Sequence, residues 1–400
     1  MRHPYLKMGL GIYLSYLILG MVNIILASNM EFLTEKMNVE KIDISLLIST
    51  IGIGHLLTIN ISGKLSDRYG RKRLLIIATF LYVIFLVGIP FTTSFPIAIG
   101  LSFIAGVSNS LLDSGSYPAL NEAFVRRAGT ATVLIKAFIS LGAVILPVLI
   151  ALLISKNLFF GYAFFVPAIV ILVAGFILLK SEFPKITEDE LDNYLVESTT
   201  KKNPFAVKPR LMREGIALIL IGFTSISLLL IVQTWLPTYA KEVLGFKEIE
   251  AISLISFFSM GGLLSVILLA ILLNRWIKPV TAMILYPFMA AIFLIIFLIN
   301  PTQEFTAFLV FCLGFFMSGI FQLTMAVMIE LFPENKGTSV AYVSASGSVA
   351  FMVIPYGTGL LREYVNVTSV FVFDFILAIV SVLLATYIYK KYTEIYDVLR

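Results

Sequence analysis

Charge is scarce in this 400-residue chain. Asp, Glu, Lys and Arg together make up 13% of it, against about a quarter in an ordinary soluble domain. With 59% of the residues hydrophobic, the side chains cannot supply a polar coat, so lipid must cover much of the outside. Cysteine occurs once, as Cys312 in an apolar run, which excludes an internal disulfide and a cysteine metal site. The only histidines are His3 and His55, too few for a histidine metal centre. No glycine-rich phosphate loop ending in Lys-Ser or Lys-Thr is present, so ATP hydrolysis is not the energy source. No enzyme signature and no cofactor are therefore expected. The formal charge of +5 is not gathered on a soluble segment interleaved with aromatics, which argues against nucleic acid as a partner.

What the chain does have is apolar runs of membrane-spanning length. They fall at 8–28, 43–63, 74–93, 96–119, 131–154 and 158–179, and again at 215–235, 250–272, 280–299, 305–329, 339–361 and 367–389. Each is close to the roughly 20 residues that cross the hydrocarbon core as a helix with its backbone groups satisfied internally. The first lacks an Ala-x-Ala cleavage pattern and is read as a retained span. The fold class expected is an all-α membrane protein of 12 transmembrane helices in two pseudo-symmetric six-helix bundles. Residues 1–180 form the first bundle, 181–213 a polar linker and 214–400 the second bundle.

Orientation follows from the basic residues. With both termini and every second loop placed inside, 22 of the 29 Lys and Arg fall on that side and six on the other, with Lys136 inside the membrane. The acidic residues divide 13 to nine, with Asp113 and Asp374 in spans. A bias confined to the cations is the form taken by the positive-inside rule, so both termini are expected in the cytoplasm.

The two halves are related in sequence. A shift of 208 lays Glu122 on Glu330, Phe124 on Phe332, Gly129 on Gly337, Ser140 on Ser348 and Pro147 on Pro355. A shift of 207 lays Leu65 on Leu272 and Arg68 on Arg275. Parallel repeats with a site at their interface are an architecture for alternating access. Pro147 and Pro355 are expected to kink their helices as matched flexing points.

Between the second and third spans runs Gly63-Lys-Leu-Ser-Asp67-Arg68-Tyr-Gly70-Arg71-Lys72-Arg73. Its glycines permit a tight turn and close helix contact, and its cations hold the loop at one membrane face. This run resembles the signature loop of the major facilitator superfamily, in the position that the family gives it. The resemblance implies a loop that latches the two bundles in one state of the cycle. Gly63, Asp67, Arg68, Gly70 and Arg71 are then gate residues. Glu122, Arg275 and Glu330 join them, because Arg68 with Glu122 and Arg275 with Glu330 place one cation and one carboxylate at corresponding helix ends. A basic loop that merely anchors topology is the plainer alternative.

A charged side chain within a membrane helix costs about 2.5–3.5 kcal/mol on insertion scales, so each asks for a partner or a function. Asp113 and Lys136 lie at similar depth in the fourth and fifth spans. Their surroundings, Leu112-Asp113-Ser-Gly-Ser-Tyr117-Pro118 and Lys136-Ala-Phe138-Ile-Ser140-Leu-Gly142-Ala143, resemble the corresponding stretches of the fucose:proton symporter branch of the superfamily. That likeness implies that Asp113 takes the coupling proton and position 136 lies near the substrate, where a lysine suits an anion. Lys136 is expected to compete for Asp113 until a substrate carboxylate engages it; a static ion pair is the plainer reading. Asn23, His55, Asn109, Gln233, Gln322 and Tyr342 are further candidates for a polar chamber, His55 because imidazole titrates near neutrality. Ordinary interhelical hydrogen bonding is the alternative for each. Asp374 is expected to cap or snorkel near a helix end.

The function expected is proton-coupled secondary transport by alternating access. Its cargo is a small polar anionic metabolite, a sugar acid, hydroxylated carboxylate or sugar, carried by a monomer in the inner membrane of a bacterium. The alternative is a proton-coupled multidrug antiporter. Against it, the fifth span reads Gly142-Ala-Val-Ile-Leu-Pro147 where such exporters carry a glycine-rich run ending in Gly-Pro. A receptor or scaffold would require a large extramembrane domain, for which the longest loop is too short.

Overall fold

A computed structural model of the chain describes residues 4–124, 128–184, 209–272, 277–299, 302–332 and 336–396. The side chains at 67, 121, 128–130, 132–133, 270 and 336–341 lie outside that description, as does most of the expected linker, from 185 to 208. Fourteen helices are described. The first seven are α1 (Leu6–Ser28), α2 (Met30–Met37), α3 (Lys41–Tyr69), α4 (Arg71–Phe91), α5 (Phe95–Ala123), α6 (Ala128–Ser155) and α7 (Tyr162–Leu179). After a π-helical turn at Leu211–Gly215 come α8 (Ile216–Glu242), α9 (Glu248–Leu272), α10 (Pro279–Leu298), α11 (Gln303–Ser318), α12 (Ile320–Leu331), α13 (Lys336–Tyr364) and α14 (Val367–Tyr396). All but the short α2 build twelve candidate spans, the tenth of which is α11 and α12 broken at Gly319. The expected fold class is the one observed, and the start of α1 and the end of α14 lie at one face of the bundle, here termed the terminal face; the other is the distal face.

Within the first bundle α1 packs on α6 and α7, α3 on α5, and α4 on α5 and α7. In the second, α8 packs on α13 and α14, α9 on α11, and α10 on α11 and α14. Each contact in one bundle has its counterpart in the other. Lipid offers hydrocarbon as apolar as leucine, so helices associate where small residues let backbones approach, and the repeat shows in those residues. A Cβ on Gly54 would stand 2.5 Å from the carbonyl oxygen of Phe103, and one on Gly106 would stand 2.2 Å from that of Ile51. In the second bundle a Cβ on Gly261 would meet the Phe311 oxygen at 2.0 Å and one on Gly314 the Phe258 oxygen at 1.8 Å. These four glycines and the carbonyls that they touch correspond at the same two shifts that relate the halves in sequence.

The bundles meet along two equivalent seams, α3 against α13 and α6 against α9. In the first, Ser49 accepts a hydrogen bond from the Tyr356 amide at 3.0 Å, next to Pro355. In the second, Ser256 donates to the Val144 carbonyl at 2.9 Å, one turn before Pro147. Ser49 and Ser256 correspond at the shift of 207, and the prolines at 208. Both helices run on through their prolines, and in the first seam a partner serine binds backbone beside the proline.

Asp374 departs from expectation. It neither snorkels nor caps: it is fully buried in α14, and neither carboxyl oxygen has a hydrogen-bond partner among the described residues. A residue eight positions into a 30-residue helix is too deep to reach the interface when its side chain is as short as aspartate.

Candidate transport site

The α3–α13 seam is closed from the distal face to about mid-membrane and parted beyond. From the distal side, Gly359 approaches Ser45, Tyr356 meets Ser49, and the Phe351–Met352 backbone lies against Gly52. Among the described residues, the last contact of the series is His55 Nδ1 with Ser348 Oγ at 3.1 Å. Toward the terminal face the same two helices carry exposed Asn60, Lys64, Tyr342 and Ser344.

At this point Asp113 of α5 is held from two sides. Its Oδ1 accepts from the Tyr16 hydroxyl of α1 at 2.8 Å, and its Oδ2 lies 3.3 Å from His55 Nε2. The Tyr117 ring stands edge-on to that of Tyr16. A line of polar atoms therefore runs from the carboxylate through the imidazole to a hydroxyl of the other bundle, so His55 joins a proton-accepting group to the seam.

Lys136 of α6 takes another course. Its Nζ lies 5.8 Å from the centroid of the Phe321 ring of α12, a cation–π contact between the two bundles. The expected direct pairing with Asp113 is not formed: no carboxylate of the described residues lies within ion-pair distance of Lys136, although Asp113 is near enough to act on it electrostatically. Spacing along each helix set the equal depth of the two groups. It did not set their facing, and Tyr16 and His55 reach the carboxylate first. Phe321 also packs on Gly347, next to Ser348, so the lysine, the ring and the His55 bond occupy one neighbourhood.

The remaining candidates separate. Asn109 accepts from the buried Tyr82 hydroxyl, an interhelical bond between α4 and α5. Gln322, beside Phe321, has a buried Oε1 without a hydrogen-bond partner among the described residues. Asn23 and Gln233 are half-buried on α1 and α8, and Tyr342 is exposed near the start of α13. Sequence reasoning missed Tyr16, Ser348 and Phe321. A tyrosine in mid-span was a usable signal for the first, because its hydroxyl needs a partner in hydrocarbon.

The signature loop turns sharply between α3 and α4 at Gly70, whose φ of 87° is a conformation that side chains disfavour. Gly63 has open space around it. The expected pairing needs correction here: Glu122 is met by Arg71, at 3.4 Å, whereas Arg68 lies over the Tyr69 ring. Arg71 opens α4, on the side of Gly70 that faces the end of α5, and Arg68 sits one turn back on α3. Arg71 also donates to Ser66 Oγ, which donates to the Ser114 carbonyl one residue from Asp113. Glu330 accepts from the hydroxyl of Tyr392. The Asp67 side chain and Arg275 lie outside the described residues.

At the distal face, ion pairs cross between the bundles. Glu31 of α2 pairs with Lys241 of α8 at 2.5 Å and Lys41 of α3 with Glu242 of α8 at 3.0 Å, while Arg362 of α13 shares Glu242 at 2.8 Å. Two equivalent bundles clamped at one face and parted at the other, with ionisable groups at the closed end of the opening, define a membrane transporter.

Relatives bear this out. The family model described as Major Facilitator Superfamily matches residues 12–312 and 289–396. An uncharacterized MFS-type transporter, YfkL of Bacillus subtilis (strain 168), is 42% identical over 398 residues, covering 99% of both chains. The inner membrane transport protein YdiN of Escherichia coli (strain K12) is 33% identical over 395 residues, covering 98% of this chain and 92% of its own. Among solved structures, the crystal structure of a D-xylose-proton symporter matches with a TM-score of 0.77 over 97% of this chain and 98% of that one, at 17% identity. The chain belongs to the major facilitator superfamily and is a multi-pass membrane transporter, not an enzyme.

Proposed function

We propose that the protein carries a small anionic metabolite, a sugar acid or hydroxylated carboxylate, together with a proton from the distal to the terminal side. The observation that carries this reading is the pair of unlike ionisable sites at the mouth of the seam. One is Asp113 joined through His55 to Ser348; the other is Lys136, a cation resting on Phe321. A lysine within a membrane helix is costly, and a substrate carboxylate is the counter-ion that would satisfy it. An anion at Lys136 cancels the field that the lysine places on Asp113, so the carboxylate holds a proton more tightly. By reciprocity the proton favours the anion, which is how a symporter couples its two cargoes. Because His55 touches both Asp113 and the opposite bundle, proton transfer at this pair also changes the bond that joins the bundles.

The terminal face is the cytoplasmic one on this reading, supported by the 22 to six distribution of Lys and Arg. The conformation is then the inward-open member of a rocking cycle about the two seams, in the cytoplasmic membrane of a bacterium. The test is uptake by proteoliposomes under an imposed pH gradient. Hydroxylated carboxylates accumulate in the wild type, and Asp113→Asn loses accumulation while keeping exchange of substrate across the membrane. Accumulation by Asp113→Asn refutes the coupling role. Thermal stabilisation of the purified protein by lipophilic cations, with none by carboxylates, would instead identify a multidrug antiporter.

A further inference from the structure

We propose that the distal end of the α6–α9 seam holds a binding site for a primary ammonium carried on a small apolar body, and that such a ligand, by touching both bundles, favours the distal-closed state. The site is separate from Asp113 and Lys136. Ile150, in its wall, stands 14 positions beyond Lys136 on α6, about 21 Å further along the helix.

A cavity of about 260 Å³ opens where α1 gives way to α2, α6 ends and α9 begins. Phe32, Ile150, Leu153 and Ile154 of the first bundle give it apolar walls, and its polar groups are Asn29, Asn157 and Glu248. Of the described residues that line it, Glu248 alone belongs to the second bundle, so an occupant that reaches this carboxylate spans the seam. Asn157 and Leu158 are exposed, which sets the mouth at the distal surface. At roughly 30 Å³ per water the space equals about nine waters, room for a ligand of about that many non-hydrogen atoms.

What the site lacks is donors. Asn29 is fully buried; its Nδ2 donates to the Ile25 carbonyl at 2.8 Å within α1, and its Oδ1 has no hydrogen-bond partner among the described residues. Glu248 is half-buried and makes no ion pair or hydrogen bond among the described residues. Nor does the start of α9 require it, because Glu250 accepts from the Lys247 amide at 3.2 Å. Glu248 also borders a smaller hollow of about 20 Å³ together with Ser28, whose buried Oγ lacks a partner among the described residues as well. Lys241, which lines that hollow, is paired with Glu31. An ammonium brings three donors, no acceptor and the charge that Glu248 lacks opposite it. An alcohol brings one donor and no charge. Apolar walls with a few convergent polar groups then hold the rest of the ligand. The headgroup of an aminophospholipid and a free amphipathic amine from the distal compartment share this chemistry. A ligand bonded to Asn29 and Glu248 at once loses one of them when the distal ends part, so it binds the closed state better and shifts the population toward it.

The test is titration calorimetry on the full chain in phosphatidylcholine nanodiscs, with empty nanodiscs as the blank. Phenethylammonium should bind at least about tenfold more tightly than phenethyl alcohol, which has the same shape and no charge. Glu248→Gln should cost the amine about ten- to 100-fold in affinity and leave the alcohol unchanged. Asp113→Asn should bind the amine as the wild type does, so the site stands even where the coupling role of Asp113 fails. With nitroxides at Thr93→Cys and Thr302→Cys in a Cys312→Ala background, saturating amine should enlarge the short-distance population, and Glu248→Gln should abolish that response. Weaker amine binding in nanodiscs that contain phosphatidylethanolamine assigns the site's natural occupant to the lipid, and unchanged binding assigns it to free amines; the site stands in both cases. Equal affinities for amine and alcohol overturn the proposal. So does full amine affinity in Glu248→Gln, its loss in Asp113→Asn, or label distances that the bound amine leaves unmoved.

Discussion

Gly52→Ala tests whether the seam between α3 and α13 is a working surface or a fixed one. A Cβ at position 52 would stand 2.6 Å from the Met352 nitrogen and the Phe351 carbonyl carbon, about 0.8 Å inside the 3.4 Å at which ordinary contact begins. Both obstacles are backbone, so no side chain can turn aside and the helices themselves must part. Two hydrogen bonds flank the point, Tyr356 to Ser49 at 3.0 Å and His55 with Ser348 at 3.1 Å. Lengthened by about 0.8 Å, both pass the limit of a useful bond. Overpacking of this kind costs about 1–3 kcal/mol, and each lost bond adds about 0.5–1.5 kcal/mol, less where water in the opening substitutes. The distal-closed state should therefore lose about 2–3 kcal/mol against the distal-open one, a shift of about 30- to 150-fold in their ratio. Spin labels at Thr93→Cys and Thr302→Cys, exposed positions at the distal face of the two bundles, in a Cys312→Ala background, read this ratio directly. Gly54→Ala is the control: it presses on Phe103 and Gly106 within the first bundle, so it should lower thermal stability without preferring a state. Unchanged label distances in Gly52→Ala would refute the reasoning, and so would an equal loss of thermal stability in both variants with no change of state.

Three further outcomes are expected. Lys136→Gln should weaken binding of a carboxylate substrate by about ten- to 100-fold, the range for losing a charged hydrogen-bond partner, while leaving neutral ligands unaffected; titration calorimetry with both kinds of ligand checks this. Asp374→Leu should raise the unfolding temperature, because it removes a buried carboxyl that has no hydrogen-bond partner among the described residues and whose burial costs about 1–3 kcal/mol; a fall in stability for Leu, with Asn tolerated, would show that the group is partnered after all. Ser348→Ala should loosen the distal-closed state less than Gly52→Ala does, by about 0.5–1.5 kcal/mol, seen as a smaller movement in the same label distances.

Much of the fold was legible because the membrane leaves the chain few choices. Backbone polar groups in hydrocarbon must be satisfied within the helix, so twelve apolar runs read as twelve spans, and the recurring offset of 207 to 208 announced two equivalent bundles. Asp113, Lys136 and His55 were legible for a related reason, since ionisable groups in such runs are rare and demand an explanation. The break at Gly319, the burial of Asp374 and the pairing of Glu122 with Arg71 were not, because each depends on which way a side chain faces around its helix axis.

The distal ion pairs were less legible still. Glu31, Lys41, Lys241, Glu242 and Arg362 stand up to 331 positions apart in the chain and resemble ordinary solvated charges at helix ends. Hydropathy and charge bias along the chain determined how many helices there are and where the backbone must hide its polar groups, because those are one-dimensional demands of the solvent. Which helix faces pair, which carboxylate meets which cation and which end of the molecule is shut were decided only by packing, since contacts between bundles depend on rotation and tilt that no local spacing encodes.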